Sequence, residues 1–168
     1  MKKRRPLLSD LAIGTLAGVA ATFVMDEVTT FLYERENRAA RRREDKARGG
    51  KTAYQVAAEK GADVLGRKIT AKQARQIGTG IHWATGITAG TLYGILRNRF
   101  PRLGLGSGPV WATLIWVAID EGANVALGLT PRPAAFPWQA HARGLAGHLV
   151  LGTVIEASFD GVDFATRR

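Results

Sequence analysis

Between Ile77 and Leu96 the chain carries no fixed charge, and a glycine or a histidine recurs at a strict four-residue step: Gly78, His82, Gly86, Gly90 and Gly94. In a helix, residues four apart lie on one face. A face made of glycine lets a second helix approach backbone to backbone, which is how helices associate in lipid, where no hydrophobic force drives them together. The one histidine on that stripe then faces the contact and not the lipid. A stretch of about 20 apolar residues is the length that crosses a bilayer. The stripe therefore predicts a helical, multispanning membrane protein with a polar interior.

The average hydropathy of the 168 residues is close to neutral, and that average mixes two populations. Four glycine-rich apolar stretches, about 7–33, 77–96, 109–129 and 138–159, are read as membrane spans. Basic connectors separate them. The length suits one integral domain. The segments lack strand alternation, so helices, not a closed barrel, satisfy their backbones in lipid. The expected fold is all-α: a four-helix transmembrane bundle with a long basic connector, residues 34–76, between the first two helices. Thr70-Ala71-Lys72-Gln73 is a capping-box pattern that starts the second helix ahead of the membrane. Ser107-Gly108-Pro109 opens the third span, Thr130-Pro131-Arg132-Pro133 stops it and Pro137 opens the fourth. Met1–Arg5 followed by apolar residues has the outline of a signal peptide, but Asp10 falls early in the would-be apolar core, so a retained helix is expected.

Lysine and arginine number 24 against 14 acids, a net charge of +10. The excess flanks apolar stretches, which points to anionic lipid headgroups, with Arg41, Arg42, Arg43, Lys46 and Arg48 as their contacts. No nucleic-acid-binding module pattern is present. The connector carries 13 of the basic residues and six acids. Glu34–Lys51 reads as the first helix continuing outward until Gly49-Gly50 breaks it. Thr52–Leu65 reads as an amphipathic helix, with Tyr54, Ala57, Ala58, Gly61, Val64 and Leu65 on one face. It lies on the membrane surface or packs on the end of the bundle. The side holding the connector has 15 basic residues and the side holding the termini nine, so the positive-inside rule puts the connector in the cytoplasm; the Met1–Arg5 cluster argues the other way.

The spans read as two copies of one hairpin. The first ends an apolar run in Asp26-Glu27 and the third in Asp120-Glu121. The second carries Gly78-x3-His82-x3-Gly86-x3-Gly90 and the fourth Gly144-x3-His148-x3-Gly152-x3-Glu156. Matching spans run in the same direction, which makes these parallel repeats. Gly14 and Gly18 continue the small-residue pattern in the first span. At about 1.5 Å per residue, Asp26, Glu27, His82 and Asn124 fall about 8–9 Å in from the connector side, and Asp120, Glu121 and His148 about 12–15 Å. Polar residues of all four spans thus share one half of the membrane, while Glu156 falls near the opposite face.

Ionisable groups in a bilayer face the bundle interior and mark function. Three chemistries fit this set. Buried hydrogen bonds between His82, His148, Asp26 and Asp120 would hold the helices in register. A histidine beside carboxylates suits a proton or cation relay. Two histidines plus carboxylates form a ligand set for iron or zinc, although no Glu-x-x-His helix motif is present. The absence of cysteine removes thiol catalysis and disulfides. No nucleophile elbow, phosphate loop or dinucleotide fingerprint appears, and Gly104–Gly108 reads as a flexible turn. Arg132 and His141 read as a solvated turn.

Leu127-Gly128-Leu129-Thr130-Pro131, Phe136-Pro137-Trp138 and Gly147-His148-Leu149-Val150, with Glu156 downstream, resemble the C-terminal half of the YagU-like family of small bacterial inner-membrane proteins. Gly14-x3-Gly18, and His82 followed by Tyr93 and Phe100-Pro101, are similar too. The resemblance covers most of the chain outside the connector. It implies an inner-membrane location and makes His148 and Glu156 family-type positions. It assigns no biochemical activity, a role in acid tolerance being the nearest suggestion, and it does not reach the Asp-Glu pairs. The first expectation is a non-enzymatic membrane protein acting by helix association, as a homo-oligomer or as a subunit of a larger membrane complex. Gly14, Gly18, Gly78, Gly86, Gly90, Gly94, Gly144 and Gly152 are its packing residues. The alternative is a proton- or cation-handling protein using His82, His148, Asp26, Glu27, Asp120, Glu121 and Asn124. A metal-dependent membrane enzyme comes third; no cofactor is expected, a divalent metal being the one candidate.

Overall fold

In the computed structural model, which describes residues 5–100 and 107–166, Leu7–Arg35 form one helix, α1. It starts directly after Pro6, whose ring suits the entry to a helix and not its interior. The chain does not continue as one helix to Lys51. Glu36 and Asn37 turn to extended backbone, and the Asn37 side chain accepts from Ala40 N at 2.8 Å, starting α2 at Arg38–Arg48. That cap outweighs the helix-forming arginines around it. Gly49, at φ 59°, ends α2 in the left-handed region that a glycine enters without strain. Reciprocal Thr/Gln capping boxes open α3 (Ala53–Val64) and α4 (Ala71–Arg99). Ser107 caps α5 (Gly108–Ile115), and the Glu156 carboxylate accepts from Gly108 N at 2.9 Å. The third column then changes pitch to a π-helix over Trp116–Ala123 before closing as α6 (Asn124–Ala126). A 3-10 turn, Pro133–Ala135, leads into α7 (Trp138–Ala165). Met1–Arg4, Pro101 and Gly104–Gly106 of the sequence motifs lie outside the described residues.

The fold is all-α. α1 packs on α4 and α7, the α5–α6 column packs on α7, and α3 folds back onto α4. The interior is built of small residues: Ala17, Ala21, Ala89 and Ala112 are buried, with Tyr93, Leu151, Ile155 and Phe159 as the larger fillers. The bulky apolar side chains are outside. Leu8, Leu16, Phe23, Phe31, Leu92, Val110, Leu114, Val117 and Leu149 are all exposed. α1 and α7, of 29 and 28 residues, are long and apolar enough to cross a membrane, and one third of each apolar window is buried within the protein. An apolar surface of that extent is untenable in water and matches lipid, so the protein is membrane-associated.

The close approaches fall where the small residues are. A Cβ on Gly14 would lie 2.7 Å from the Gly90 carbonyl oxygen, and one on Gly18 2.8 Å from the Ile87 Cα. Gly86 meets the Thr22 side chain, Gly94 meets Phe159 and the Asp10 backbone, and Gly152 meets the Gly108 backbone and Ala112. Two stripe positions differ from expectation. Gly78 makes room for the backbone of Tyr54 and Gln55 in the connector helix α3, not for another long helix. Gly144 faces the Trp116 indole. At the end bearing the termini, fully buried Asp10 accepts from the Asn98 side-chain amide at 2.8 Å, and Arg5 and Arg97 pair with Asp163, Arg97 also with Asp160.

Candidate functional site

At the other end the helices part around a cavity of about 490 Å³. Each of the four columns contributes to it: Asp26 from α1, His82 and Trp83 from α4, Asp120 and Glu121 from the π-helix, and His141 and Gly144 from α7. Arg48 of α2 and Tyr54 of α3 complete the wall. A smaller chamber of about 110 Å³ lies deeper, bounded by Thr22, Gly86, Ala89 and Leu151. Tyr54, His82 and Asp120 line both spaces.

Each histidine of the chain meets a different carboxylate. His82 Nε2 is 2.8 Å from Asp26 Oδ1, a hydrogen bond between α4 and α1. His148 Nε2 lies 3.9 Å from Asp120 Oδ2, and His141 Nδ1 is 2.7 Å from Glu121 Oε1. Backbone carbonyls fix the proton on the second nitrogen in two of these rings. His148 Nδ1 donates to Gly144 O at 2.9 Å, and His141 Nε2 donates to Pro133 O at 3.1 Å. A neutral imidazole has one N–H. With that hydrogen spent on a carbonyl, the nitrogen turned to the carboxylate offers only a lone pair. Two lone pairs repel, so the 2.7 Å contact between His141 and Glu121 requires a shared proton, whereas His148 Nε2 and Asp120 Oδ2, 3.9 Å apart, lie beyond hydrogen-bond distance. His82 has no such restriction: its Nε2–H donates to Asp26 in the neutral ring. The site thus presents defined positions at which a proton can be accepted between a histidine and a carboxylate.

The π-helix makes this possible. Its wider turn lets adjacent residues Asp120 and Glu121 both serve the site, one toward His148 and the other toward His141. Such segments are rare and recur at functional sites. Asn124, buried one turn on, donates to Asp120 at 3.4 Å. Burial pushes the Tyr54 phenol up to about 12, and the charges of Asp120 and then Asp26 add to the rise. Tyr54 is therefore a neutral hydroxyl at physiological pH, with its ring tilted against His82 at 5.4 Å.

The structure brings Asp26, His82, Asp120, Glu121, Asn124 and His148 of the sequence-derived cluster together. Glu27 is the exception: it is exposed on the outer side of α1 and does not line the cavity, because one residue of helix turns it about 100° away from Asp26. His141, read from sequence as part of a solvated turn, belongs to the site. Its signal was the three- and seven-residue spacing to Gly144 and His148, which puts it one or two turns above them on the same helix face. Among the described residues, no three His, Asp or Glu side chains are arranged to hold a metal ion.

The basic residues divide. Arg42 and Lys46 are exposed. Arg43 donates to the Ala134 and Ala135 carbonyls, Arg48 pairs with Glu44 and lies over Phe136, and Arg41 lies over Tyr33. Arg43 and Arg48 thus bind the protein itself. Arg143, a tenth exposed, sits between Glu36 and Glu44 and pins α2 to α7.

A family model described as a protein of unknown function, DUF1440, matches residues 61–157, more than half of the chain, and the protein belongs to that family. The matched segment holds all three histidines with Asp120 and Glu121, while Asp26 and Tyr54 precede it. No curated protein and no solved structure matches the chain.

Proposed function

We propose that this DUF1440 protein is a non-enzymatic, multispanning protein of the bacterial cytoplasmic membrane that takes up and releases protons through its His–carboxylate pairs. The observation that carries the reading is the pair of hydrogen-bonded carbonyls on His141 and His148, which turns the proton-accepting nitrogen of each ring toward a carboxylate. All four columns cross the membrane as two repeated hairpins. In that arrangement His82 with Asp26 and His148 with Asp120 are equivalent pairs, one per hairpin, and Gly14 against Gly90 corresponds to Gly108 against Gly152 and Glu156. The connector lies in the cytoplasm, with exposed Arg42 and Lys46 on anionic headgroups. The YagU-like resemblance, with its suggested role in acid tolerance, agrees with this reading.

The test is proton uptake by the purified protein in detergent after a small acid step, read with a pH indicator. The intact protein should bind protons reversibly in the range where histidine titrates. The His141→Ala/His148→Ala variant should lose about two of them. Equal uptake by both proteins would remove the proposal.

Helix association is the second reading. Gly80, Ala84 and Thr88 form an outward face of α4, and a Cβ on Gly80 would meet nothing within 4 Å. A second copy or a larger membrane complex could pack there. Cross-linking in mild detergent through a cysteine at Ala84 tests it, and a protein that stays monomeric at all concentrations would oppose it.

A further inference from the structure

The connector helix α3 belongs to neither hairpin, yet it is fixed to both. Its N-terminal turn lies against α4, where Gly78 leaves room for the Tyr54–Gln55 backbone. Its Lys60 ammonium donates to the Leu127 carbonyl at the end of the α6 column, at 2.8 Å. This double attachment holds Tyr54 at the junction of the outer cavity and the inner chamber, both of which it lines. The groups that line these spaces with it come from every neighbouring element: Asp26 on α1, Arg48 on α2, His82 and Thr85 on α4, Asp120 on the π-helix and His148 on α7. A histidine of each His–Asp pair, His82 and His148, lines the inner chamber beside Tyr54. The inner chamber they share, at about 110 Å³, has the volume of about three water molecules.

We infer that Tyr54 is the positioning residue that couples the two His–Asp pairs, its hydroxyl passing hydrogen bonds between the His82–Asp26 pair and the His148–Asp120 pair through the inner chamber. The inference rests on the proton-handling reading above and deepens it. A phenol both donates and accepts one hydrogen bond. When a proton reaches its oxygen from one pair, its own proton leaves toward the other, so the hydroxyl is regenerated and nothing is consumed. Because ionising this buried phenol is unfavourable, the two transfers are concerted and no tyrosinate forms. A connector helix thereby does what the repeat cannot: it joins two equivalent sites into one unit. Interacting sites of this kind titrate as a pair, not singly.

The measurement is the pH titration of the His82 ring, followed by NMR on histidine-labelled protein in micelles. Four proteins are compared: the intact chain, His148→Ala, Tyr54→Phe and the double variant. Removing His148 should shift the His82 titration in the intact background. In the Tyr54→Phe background the same removal should leave it in place. Tyr54→Phe keeps the ring that packs on His82, so a purely structural tyrosine would preserve the shift. An equal shift in both backgrounds overturns the inference, and so does the absence of any shift in the intact chain. If Tyr54→Phe fails to fold, Lys60→Met releases α3 from the α6 column and should abolish the coupling; full coupling in that variant overturns the inference as well. The readout does not require transport. Coupling in a protein whose proton uptake equals that of His141→Ala/His148→Ala would retain Tyr54 and remove the proton-uptake role, whereas uptake without coupling would do the reverse.

Discussion

Arg143 shows how a charge is held in this bundle. Its guanidinium is shared by Glu36 and Glu44, and all three side chains are at most a tenth exposed. Removing one partner of a buried ion pair leaves the other charges uncompensated, which costs about 3–5 kcal/mol. Arg143→Ala should lower stability by that order in a denaturation experiment, with α2 released from α7. Glycine positions divide just as sharply. On Gly90 a methyl group would sit 2.5 Å from the Gly14 carbonyl, and backbone cannot yield as a side-chain end does. Gly90→Ala should destabilise by about 1–3 kcal/mol through overpacking. Gly80→Ala, on the same helix with open space around it, should be neutral or stabilise by up to about 1 kcal/mol through helix propensity. Thermal melts of the two variants compare these directly.

At the scale of the elements, the π-helix and α3 decide whether the site exists. Deleting Ala118 removes the extra residue that widens the Trp116–Ala123 turn. Asp120 and Glu121 then rotate relative to α5, and the contacts to His148 and His141 cannot both survive. Proton uptake should fall to the level of the His141→Ala/His148→Ala variant while far-UV circular dichroism stays helical. Nothing in Trp-Val-Ala-Ile-Asp-Glu-Gly-Ala announces this pitch: its composition suits an α-helix. The capping boxes at Thr52 and Thr70 were legible, because each is a local side-chain-to-backbone exchange written in four residues. So was the meeting of Asp26 with His82, since rise per residue fixes depth in a helix. Rotation is less legible than depth. Glu27 shares a level with Asp26 but not a face, and the Pro-rich turn beside His141 masks its place on the inner face of α7. The break at Asn37 was hidden by strong helix formers on both sides, and the docking of α3 on Gly78 is a long-range contact that no local pattern encodes.

The whole molecule is arranged with small residues inside, bulky apolar residues outside and ionisable groups at the two ends. The connector end is open around the His–carboxylate pairs, whereas buried Tyr93, Ile155 and Phe159 close the bundle toward the end with Asp10. If all four columns cross the bilayer, reporter fusions at Arg42 and Arg132 should fall on one side and those at Arg99 and the C-terminal end of α7 on the other. Any other partition would break the two-hairpin arrangement. The central claim is that protons enter the membrane interior through these pairs. Its most direct measurement is proton movement onto the protein in vesicles of phosphatidylethanolamine and phosphatidylglycerol after a small acid step, followed with an external pH indicator. The account predicts movement above that of empty vesicles for the intact protein, and its loss in a folded His82→Ala/His148→Ala variant. Movement that persists undiminished in that variant, or none at all with the intact protein, would contradict it.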